Sequence, residues 1–269
     1  MLPGPAFEAL KFGHRHPLES WLKAENSDVN SYRVNGQSLL GICLLLASAS
    51  RHKNEARRHL EVGRMLVSRG ARADWLGRAH VLLDSPLVMP ITSLNIAGTE
   101  EMYAWYDLLI AAGADPNASS KVLVDGFWCR MSMLSRVCFL FPATALITSE
   151  KRLELIKLLL RAGANPCVCY TSDTTLYTTY DTTWALDDAV ARRSDLADDE
   201  HYLAAKRLVE GVVAAGSYKK YLRLPLQELL NLLSLTQRGK LATTDPVMKS
   251  LVGVDNHVVW NVFTYWAES

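Results

Sequence analysis

The sequence contains the same helix ending several times, and this repetition limits the folds open to the chain. Residues 108–117 read LLIAAGADPN and residues 158–166 read LLLRAGANP, so each apolar run stops at a glycine followed by a small polar turn. Two further stretches, 21–30 and 65–74, end in a comparable way, and a weaker fifth lies at 212–217. Self-similarity at a spacing of tens of residues is typical of repeat proteins.

The position at which each of these helices stops has a physical explanation. It is occupied by glycine or asparagine, which tolerate the left-handed backbone conformation of a helix C-cap best. These positions are Asn26, Gly70, Gly113, Gly163 and Gly216. We therefore expect each helix to end sharply there and to turn.

Helix openings recur between the stops. Three of them begin with a hydroxyl residue able to cap a helix, with leucine two places later. They start at Ser38, Thr92 and Thr144, and a fourth of similar outline starts at Trp184, just after Thr183. This alternation of openings and stops resembles the ankyrin repeat, whose unit is a turn, a short helix, a second helix and a G-A-D-x-N ending.

The resemblance covers roughly residues 7–220. It implies an all-α chain that folds as an ankyrin-type helical solenoid, with roughly four to five degenerate repeats and extended finger loops. We expect residues 1–220 to form this ankyrin-repeat domain. Residues 221–269 are expected to form a C-terminal helical capping segment, because a solenoid needs a cap on its last repeat.

The spacings between successive stops exceed the usual ankyrin period of about 33 residues. Long connections are expected at 74–92, 117–144 and 167–183, where an ankyrin array has its fingers. Insertions in a solenoid map to loops on one face, often the binding face, although long surface loops also drift in length at little cost. The hydrophobic second half of 118–143 predicts an added helix, and 168–183 favours a β-hairpin.

Aromatic and arginine side chains in the turns and fingers are the candidate partner-binding residues. Tyr, Trp and Arg are enriched among the residues that dominate binding energy at protein interfaces. The candidates are Tyr32, Arg33, Trp75, Arg78, Phe127, Trp128, Tyr170, Tyr177 and Tyr180. The three tyrosines of 168–183 equally suit a plain hairpin, because the stretch is rich in residues with high β propensity.

Beyond residue 220 the repeat pattern stops and apolar residues continue at helical spacing. The stretch 222–235 reads LRLPLQELLNLLSL, with Pro225 suited to a first turn, and 245–252 and 256–266 predict two more short helices. The tail is interpreted as a cap. The alternative is a docking element, since a leucine-rich helix behind ankyrin repeats is faintly similar to the SOCS box, which recruits ubiquitin-ligase subunits.

Motifs that carry chemistry are missing from the sequence. None of the seven histidines has metal-ligand spacing, and Cys167 and Cys169 have no second pair with which to bind zinc. There is no P-loop, G-x-S-x-G or G-x-G-x-x-G motif. We therefore predict a chain that is not an enzyme and that uses no cofactor and no metal.

Charge and hydropathy restrict the partners. A formal net charge of +1 gives no specific nucleic-acid signal, and the longest apolar runs are too short or too interrupted to span a membrane. The N-terminus has no secretory signal. Five cysteines without a framework spacing are typical of reduced thiols, so we expect an intracellular protein, cytoplasmic or nuclear.

Charge is also uneven along the chain, which suits an oriented protein partner, although ordinary solvated helix faces explain it equally well. Basic residues crowd the first full repeat at Arg51, Lys53, Arg57, Arg58, Arg64, Arg69 and Arg72. Acidic residues crowd the last at Asp187, Asp188, Asp195, Asp198, Asp199 and Glu200.

The predicted function is a non-catalytic protein–protein interaction module that binds a protein partner through its finger loops and concave face. Two alternatives stay open. One is an adaptor whose C-terminal helices recruit a second complex such as a ubiquitin ligase. The other is a structural subunit of a large assembly.

Overall fold

The structure is a computed structural model, and it describes most of the chain. The described residues are 4–25, 28–34, 36–50, 52–73, 99–124, 127–139, 147–167 and 182–240, with the isolated positions 87, 88, 90, 242, 244, 246, 249, 257 and 258. They divide into two compact units, Met1–Val209 and Glu210–Ser269. The predicted domain boundary at residue 220 stays a prediction.

The described part of the chain is mostly helical, which confirms the all-α class. In chain order the helices are α1 (Gly4–Lys11), α2 (Arg15–Glu25), α3 (Leu39–Ala49), α4 (Lys53–Ser68), α5 (Glu100–Ala111), α6 (Met133–Phe139), α7 (Ser149–Arg161), α8 (Thr182–Arg192), α9 (Glu200–Ala215) and α10 (Tyr218–Gln237). Short 3-10 turns lie at Val29–Ser31 and Ser194–Asp198. Two antiparallel hairpins accompany them, β1 (Arg33–Val34) with β2 (Gln37–Ser38) and β3 (Ser119–Val124) with β4 (Phe127–Ser132).

The predicted helix stops are confirmed at the four glycines. Gly70, Gly113, Gly163 and Gly216 have φ of +84°, +86°, +93° and +79°. At Gly163 the glycine N–H donates to the carbonyl three residues back at 3.1 Å, and the next N–H donates five residues back at 2.9 Å. This is the Schellman pattern, in which a left-handed residue lets two late carbonyls find donors. Asn26 lies outside the described residues.

The helices of the first unit pack with neighbours in the chain and with their counterparts in the next pair. Helices α1 and α2, α3 and α4, and α6 and α7 contact each other as consecutive pairs. In addition α1 contacts α3, α2 contacts α4, α4 contacts α5, and α6 contacts α8. First helices therefore meet first helices, and second helices meet second helices.

Close approach of the helices and buried apolar side chains hold the helices of the first unit together. Helix α3 reads LLGICLLLASA and is buried along most of its length, whereas α4 buries one face only. At Gly63 in α4, an added Cβ would lie 2.9 Å from the Leu108 side chain and 3.0 Å from Trp105. The missing side chain at residue 63 lets α4 and α5 approach closely.

The predicted openings are confirmed in part. Ser38 caps α3, its Oγ accepting from the Gly41 N–H at 3.1 Å. The openings at Thr92 and Thr144 lie outside the described residues, although positions 88 and 90 are already helical. Trp184 lies inside α8 rather than at its start, because that helix begins at Thr182.

The 118–143 insertion has more structure than its sequence predicted. Its second half forms α6, as expected, but its first half is the β3–β4 hairpin, which was not predicted. Strands SSKVLV and FWCRMS flank Asp125-Gly126, a pair strongly favoured in two-residue hairpin turns. The hairpin predicted at 168–183 lies outside the described residues.

In the second unit, the leucine-rich stretch 222–235 is helical, as predicted. It belongs to a longer helix, since Ser217 caps α10 by accepting from the Lys220 N–H at 3.2 Å. Pro225 therefore lies inside the helix and not in its first turn. The short helices predicted at 245–252 and 256–266 fall largely outside the described residues. Among the helices that the structure describes, none combines the length and the apolarity needed to cross a membrane.

Candidate interaction surface

Two asparagines join successive turns of the first unit in the same way. The Asn30 side chain donates from Nδ2 to the Gly70 carbonyl at 2.9 Å, and its Oδ1 accepts from the backbone N–H two residues beyond that glycine at 2.9 Å. Asn117 repeats this with the Gly163 carbonyl at 3.2 Å and the N–H two residues further on at 2.7 Å. We call this two-bonded arrangement the asparagine fork.

Each asparagine is held by a turn that precedes it. The backbone N–H of Asn30 donates to Asp28 Oδ1 at 2.9 Å, and that of Asn117 donates to Asp115 Oδ1 at 2.9 Å. An aspartate two residues ahead thus fixes the backbone from which the fork projects. At the next equivalent place the fork residue is Cys167, whose thiol is a weak donor and a weak acceptor and does not offer the amide pair.

Both hairpins begin just after a fork and end in a helix cap. Strand β1 begins three residues after Asn30, and β3 begins two residues after Asn117. Strand β2 ends at Ser38, which caps α3, and β4 ends at Ser132, whose Oγ accepts from the Ser135 N–H at 3.1 Å. The two hairpins therefore occupy equivalent places in two segments, and the second has six-residue strands where the first has two-residue strands.

The first hairpin carries Tyr32 and Arg33 at its start. Tyr32 packs edge-on against Trp21 of α2, with ring centroids 4.8 Å apart and an interplanar angle of 63°. Both rings are partly exposed, and Arg33 is exposed. Trp21 was not predicted as a site residue, although it orients Tyr32 and adds aromatic surface beside it.

The second hairpin places Phe127 and Trp128 on opposite faces of the ladder, because successive strand residues alternate. The register pairs Val124 with Phe127 and Ser120 with Met131, so the Phe127 position shares a face with two buried residues at the hairpin base. The Trp128 position shares the other face with Arg130, which is exposed, and with Ser132, which is buried at the base. The register therefore separates the Phe127 position from the Trp128 and Arg130 positions.

A cluster of buried hydroxyls fixes the base of the β3–β4 hairpin to the helices. Ser135 Oγ and Thr182 Oγ1, from α6 and α8, lie 2.9 Å apart, and both residues are almost fully buried. Arg136 Nη1 donates to Ser120 Oγ at 3.3 Å, which joins β3 to α6. Buried polar groups that are hydrogen-bonded in this way specify one arrangement, so the hairpin has a rigid foundation.

The remaining predicted partner-binding residues, namely Trp75, Arg78, Tyr170, Tyr177 and Tyr180, lie outside the described residues. The structure thus brings Tyr32 and Arg33 together at one hairpin and places Phe127 and Trp128 at an equivalent hairpin. Arg130, which is exposed on strand β4, was missed.

The uneven charge seen in the sequence is partly paired within the fold. Glu101 lies 2.8 Å from Arg57 Nη2 and 3.6 Å from Lys53 Nζ. In the acidic region, Lys206 Nζ pairs with an Asp187 oxygen at 2.7 Å, and Arg192 Nε pairs with Asp188 in the same helix at 2.6 Å. These pairs weaken the case for a partner oriented by opposite charge in the two regions.

Glu101 is a buried charged residue that connects two helices. It is 4% exposed at the start of α5 and accepts two bonds from Arg57 of α4. Burial alone raises its pKa, but its own backbone N–H, Arg57, Thr99 and Lys53 outweigh burial and hold the pKa below its ordinary value. The ionised carboxylate therefore joins α4 to α5.

The described residues offer little for catalysis. Within them, no group of three or more His, Cys, Asp or Glu side chains is arranged to hold a metal ion. Burial raises the pKa of the Cys43 and Cys138 thiols far above the ordinary value, so both stay protonated and unreactive. The two hairpins are the candidate site that the geometry supports best.

Comparison with known proteins identifies no family for the chain. No protein-family model matches the chain, and no curated protein gives a significant match. Function therefore has to be inferred from the residues and their arrangement.

Proposed function

We propose that the chain is a degenerate ankyrin-type solenoid that binds a protein partner through its hairpins and the adjoining concave face. The observation that carries this proposal is the recurrence of one unit: an asparagine fork, a hairpin, a serine cap and a helix pair. The fork at Asn30 and the fork at Asn117 use the same atoms on equivalent backbone groups. Recurrence at this level of detail supports stacked repeats.

The contacts between helices support the same proposal. In a solenoid each repeat touches only its neighbours. The pairs α1–α3, α2–α4, α4–α5 and α6–α8 follow that rule, because each joins an element to its counterpart in an adjacent segment. The stop glycines supply the sharp turn that lets one helix pair be followed by the next.

Hairpins of this kind are suited to partner binding. A rigid scaffold that carries exposed loops is the usual way in which proteins position binding residues. The β3–β4 hairpin is fixed at its base by buried hydroxyls and carries the Trp128 and Arg130 positions on one face of its ladder. The first hairpin offers Tyr32, supported by Trp21. Tyr, Trp and Arg are the residue types that most often dominate interface energies.

The experiment shortens the second hairpin without disturbing its base. Residues 123–128 are replaced by Asn-Gly, which closes a tight turn on the Val122–Cys129 pair and keeps the buried Ser120–Met131 pair. Proteins that co-purify with the full chain are quantified by mass spectrometry for wild type and for this variant. The matched control is Glu154→Ala, at an exposed position on α7.

We expect the shortened chain to lose at least one partner that the control retains. Direct binding to that purified partner should then weaken at least tenfold on Trp128→Ala, the size of effect seen when an interface anchor is truncated. If the shortened chain is folded by circular dichroism and retains every partner at wild-type level, the hairpin is not the binding element.

A further inference from the structure

The turn that ends helix α1 exposes an aromatic ring beside basic side chains. Phe12 is 49% exposed. Lys11 Nζ lies 5.1 Å from the centroid of the Phe12 ring, and the centroid of the His14 ring lies 6.1 Å from it. Lys11 and His14 are exposed as well. Aromatic side chains are enriched at protein interfaces, so an exposed ring of this kind is suited to a partner contact.

This turn packs closely on helix α4. Gly13 has φ of +68°, its N–H donates to the carbonyl three residues back at 3.2 Å, and the next N–H donates five residues back at 2.8 Å. A Cβ added at Gly13 would lie 2.9 Å from Cβ of Arg58, so the Arg58 side chain leaves α4 directly beside the turn. The side chains on both sides of Gly13 and that of Arg58 therefore start from one fixed base. We call Lys11, Phe12, His14 and Arg58 the α1 turn site.

The two basic side chains of the α1 turn site differ from their neighbours in how they are paired. The other basic side chains of α4 pair with carboxylates, namely those of Lys53, Arg57 and Arg64. Arg58 is exposed and forms no ion pair in the part of the chain that the structure describes, not even with Glu55 one turn earlier. Lys11 Nζ lies 3.9 Å from Glu8, and because both side chains are exposed this pair contributes little. Both charges are therefore accessible to a partner.

We propose that the α1 turn site binds a short acidic segment of a partner protein, in which one apolar side chain lies between carboxylates. The apolar side chain packs on the exposed part of the Phe12 ring. One carboxylate meets Lys11 above the ring, and the other meets Arg58, with an N–H of His14 as a further donor. The site shares no residue with the hairpins, so it serves an interaction beyond the one proposed for them.

The number of basic side chains favours an acidic peptide over other anionic ligands. A nucleic-acid site typically neutralises several phosphates along the strand. Segments that bind anionic lipids carry clusters of about 4–8 lysines and arginines. The α1 turn site instead combines Lys11 and Arg58 with one aromatic ring, which matches two carboxylates and one apolar side chain by charge complementarity.

A second copy of this chain fits the site less well. The acidic stretch 195–200 has one bulky apolar residue, Leu196, among its carboxylates. Leu196 is 2% exposed, so its side chain is not accessible to a Phe12 ring. Burial therefore favours another protein as the source of the segment.

The test uses the full chain and a short fluorescein-labelled peptide with one leucine between two pairs of glutamates. Binding is followed by fluorescence anisotropy. We expect Lys11→Glu combined with Arg58→Glu to weaken binding at least tenfold. A second peptide, with lysines in place of the glutamates, should bind that double variant at least tenfold more tightly than it binds wild type. Failure of the acidic peptide to bind wild type overturns the proposal.

The matched control compares two arginines of α4. Arg58→Glu should weaken binding of the acidic peptide at least fivefold. Arg64→Glu makes the same change of charge on another face of the helix and should leave the affinity within twofold of wild type. Equal loss in both variants would mean that net charge alone attracts the peptide, which overturns the site. Shortening the β3–β4 hairpin should leave peptide binding unchanged, so the two proposals fail separately.

Phe12→Ala tests the aromatic centre of the site. Exchange of the peptide leucine for serine should weaken binding at least tenfold with wild type and less than twofold with Phe12→Ala, because the two side chains contact each other. Equal losses with both proteins would place the leucine elsewhere. The melting temperature of Phe12→Ala should stay within two or so degrees of wild type, as for exposed positions. A large fall would mean that other residues of this chain cover the ring, and either result overturns the proposal.

The same variants test the other possible occupants. Phosphatidylserine vesicles and a single-stranded oligonucleotide are compared with the acidic peptide at one ionic strength, and self-association is followed by ultracentrifugation. We expect the acidic peptide to bind most tightly and the chain to stay monomeric. Tighter binding of vesicles or oligonucleotide, or dimerisation, that Lys11→Glu combined with Arg58→Glu abolishes would assign the site to a membrane, a nucleic acid or a second copy. Each of these results overturns the proposal.

Discussion

Asn30 donates a hydrogen bond from its side-chain amide to the carbonyl of Gly70, forty residues away, at 2.9 Å. The same side chain accepts from the N–H of Arg72, so one amide satisfies two backbone groups of another segment. Asn117 does the same for Gly163. The fork is therefore a long-range link between backbone turns, made by a single residue in each segment.

Replacing Asn30 by alanine removes both bonds of the fork and the bond that its side-chain Nδ2 donates to Asp28 Oδ1 at 3.1 Å. A typical net hydrogen bond contributes about 0.5–1.5 kcal/mol, so we expect Asn30→Ala to lower the free energy of unfolding by about 1–2 kcal/mol. Asn117→Ala should cost a similar amount, since its fork is equivalent. Urea denaturation measures both, and Asn54→Ala, at an exposed position on α4, is the control. Equal stability of the Asn30 and Asn54 variants would show that the fork contributes nothing.

At the stop glycines the cost of substitution is set by the backbone conformation and not by a lost side-chain hydrogen bond. At Gly113 φ is +86° and an added Cβ meets nothing within 4 Å, so the cost of substitution is conformational and not steric. A left-handed backbone costs an ordinary L-residue about 1–2 kcal/mol, and asparagine tolerates it better. We expect Gly113→Ala to be destabilised by about that amount and Gly113→Asn by less, as measured by chemical denaturation. Equal losses would mean that something other than the backbone angle sets the cost.

How far the sequence predicts the structure depends on the range of the interaction. The stops at Gly70, Gly113 and Gly163 were predictable because a C-cap is a local event that needs one permissive residue. The fork was not, because nothing in the sequence near Asn30 points to a partner forty residues away. The support that Trp21 gives to Tyr32 was missed for the same reason: the two rings come from different elements.

The β3–β4 hairpin was missed although its signal is local. Asp125-Gly126 stands between two stretches with strand propensity, which is the usual sequence of a tight hairpin. The apolar residues from Met133 onward predict a helix, and the structure confirms it. The helix begins only after strand β4 ends. Ser132 serves both elements, closing the ladder opposite Ser119 and accepting from the N–H of Ser135.

Acid should weaken the first unit through His59. This side chain is 4% exposed on α4, and burial, helped by the nearby Arg58 and opposed by Glu55, lowers its pKa to about 4. The unfolded chain has a histidine pKa of about 6.5. Because the folded pKa is the lower one, protons bind the unfolded chain more tightly, so stability falls as the pH drops from about 6.5 towards 4.

The full shift corresponds to at most about 3.5 kcal/mol, at about 1.4 kcal/mol per pH unit. We expect His59→Gln to remove most of this contribution, so that the free energy of unfolding of the variant changes less between pH 7 and pH 4.5. The exposed His52 provides the control, and His52→Gln should retain the wild-type profile. Parallel pH profiles for wild type and His59→Gln would rule out His59 as the titrating group.

In the second unit, Gly211 and Tyr221 form a tight contact between α9 and α10. A Cβ added at Gly211 would overlap Cε2 of the Tyr221 ring, so an alanine there must displace the ring. Overpacking of this kind costs about 1–3 kcal/mol. In a helix interior, however, alanine is intrinsically better than glycine by up to about 1 kcal/mol. Whether Gly211→Ala raises or lowers the free energy of unfolding therefore depends on the Tyr221 ring.

We expect Gly211→Ala to destabilise wild type and to stabilise a chain that already carries Tyr221→Ala, where the clash is gone. A double-mutant cycle by chemical denaturation measures this coupling directly. A reversal of sign between the two backgrounds places the Tyr221 ring against α9 and makes it part of what holds α10 to that helix. If Gly211→Ala has the same effect in both backgrounds, the ring does not pack on residue 211.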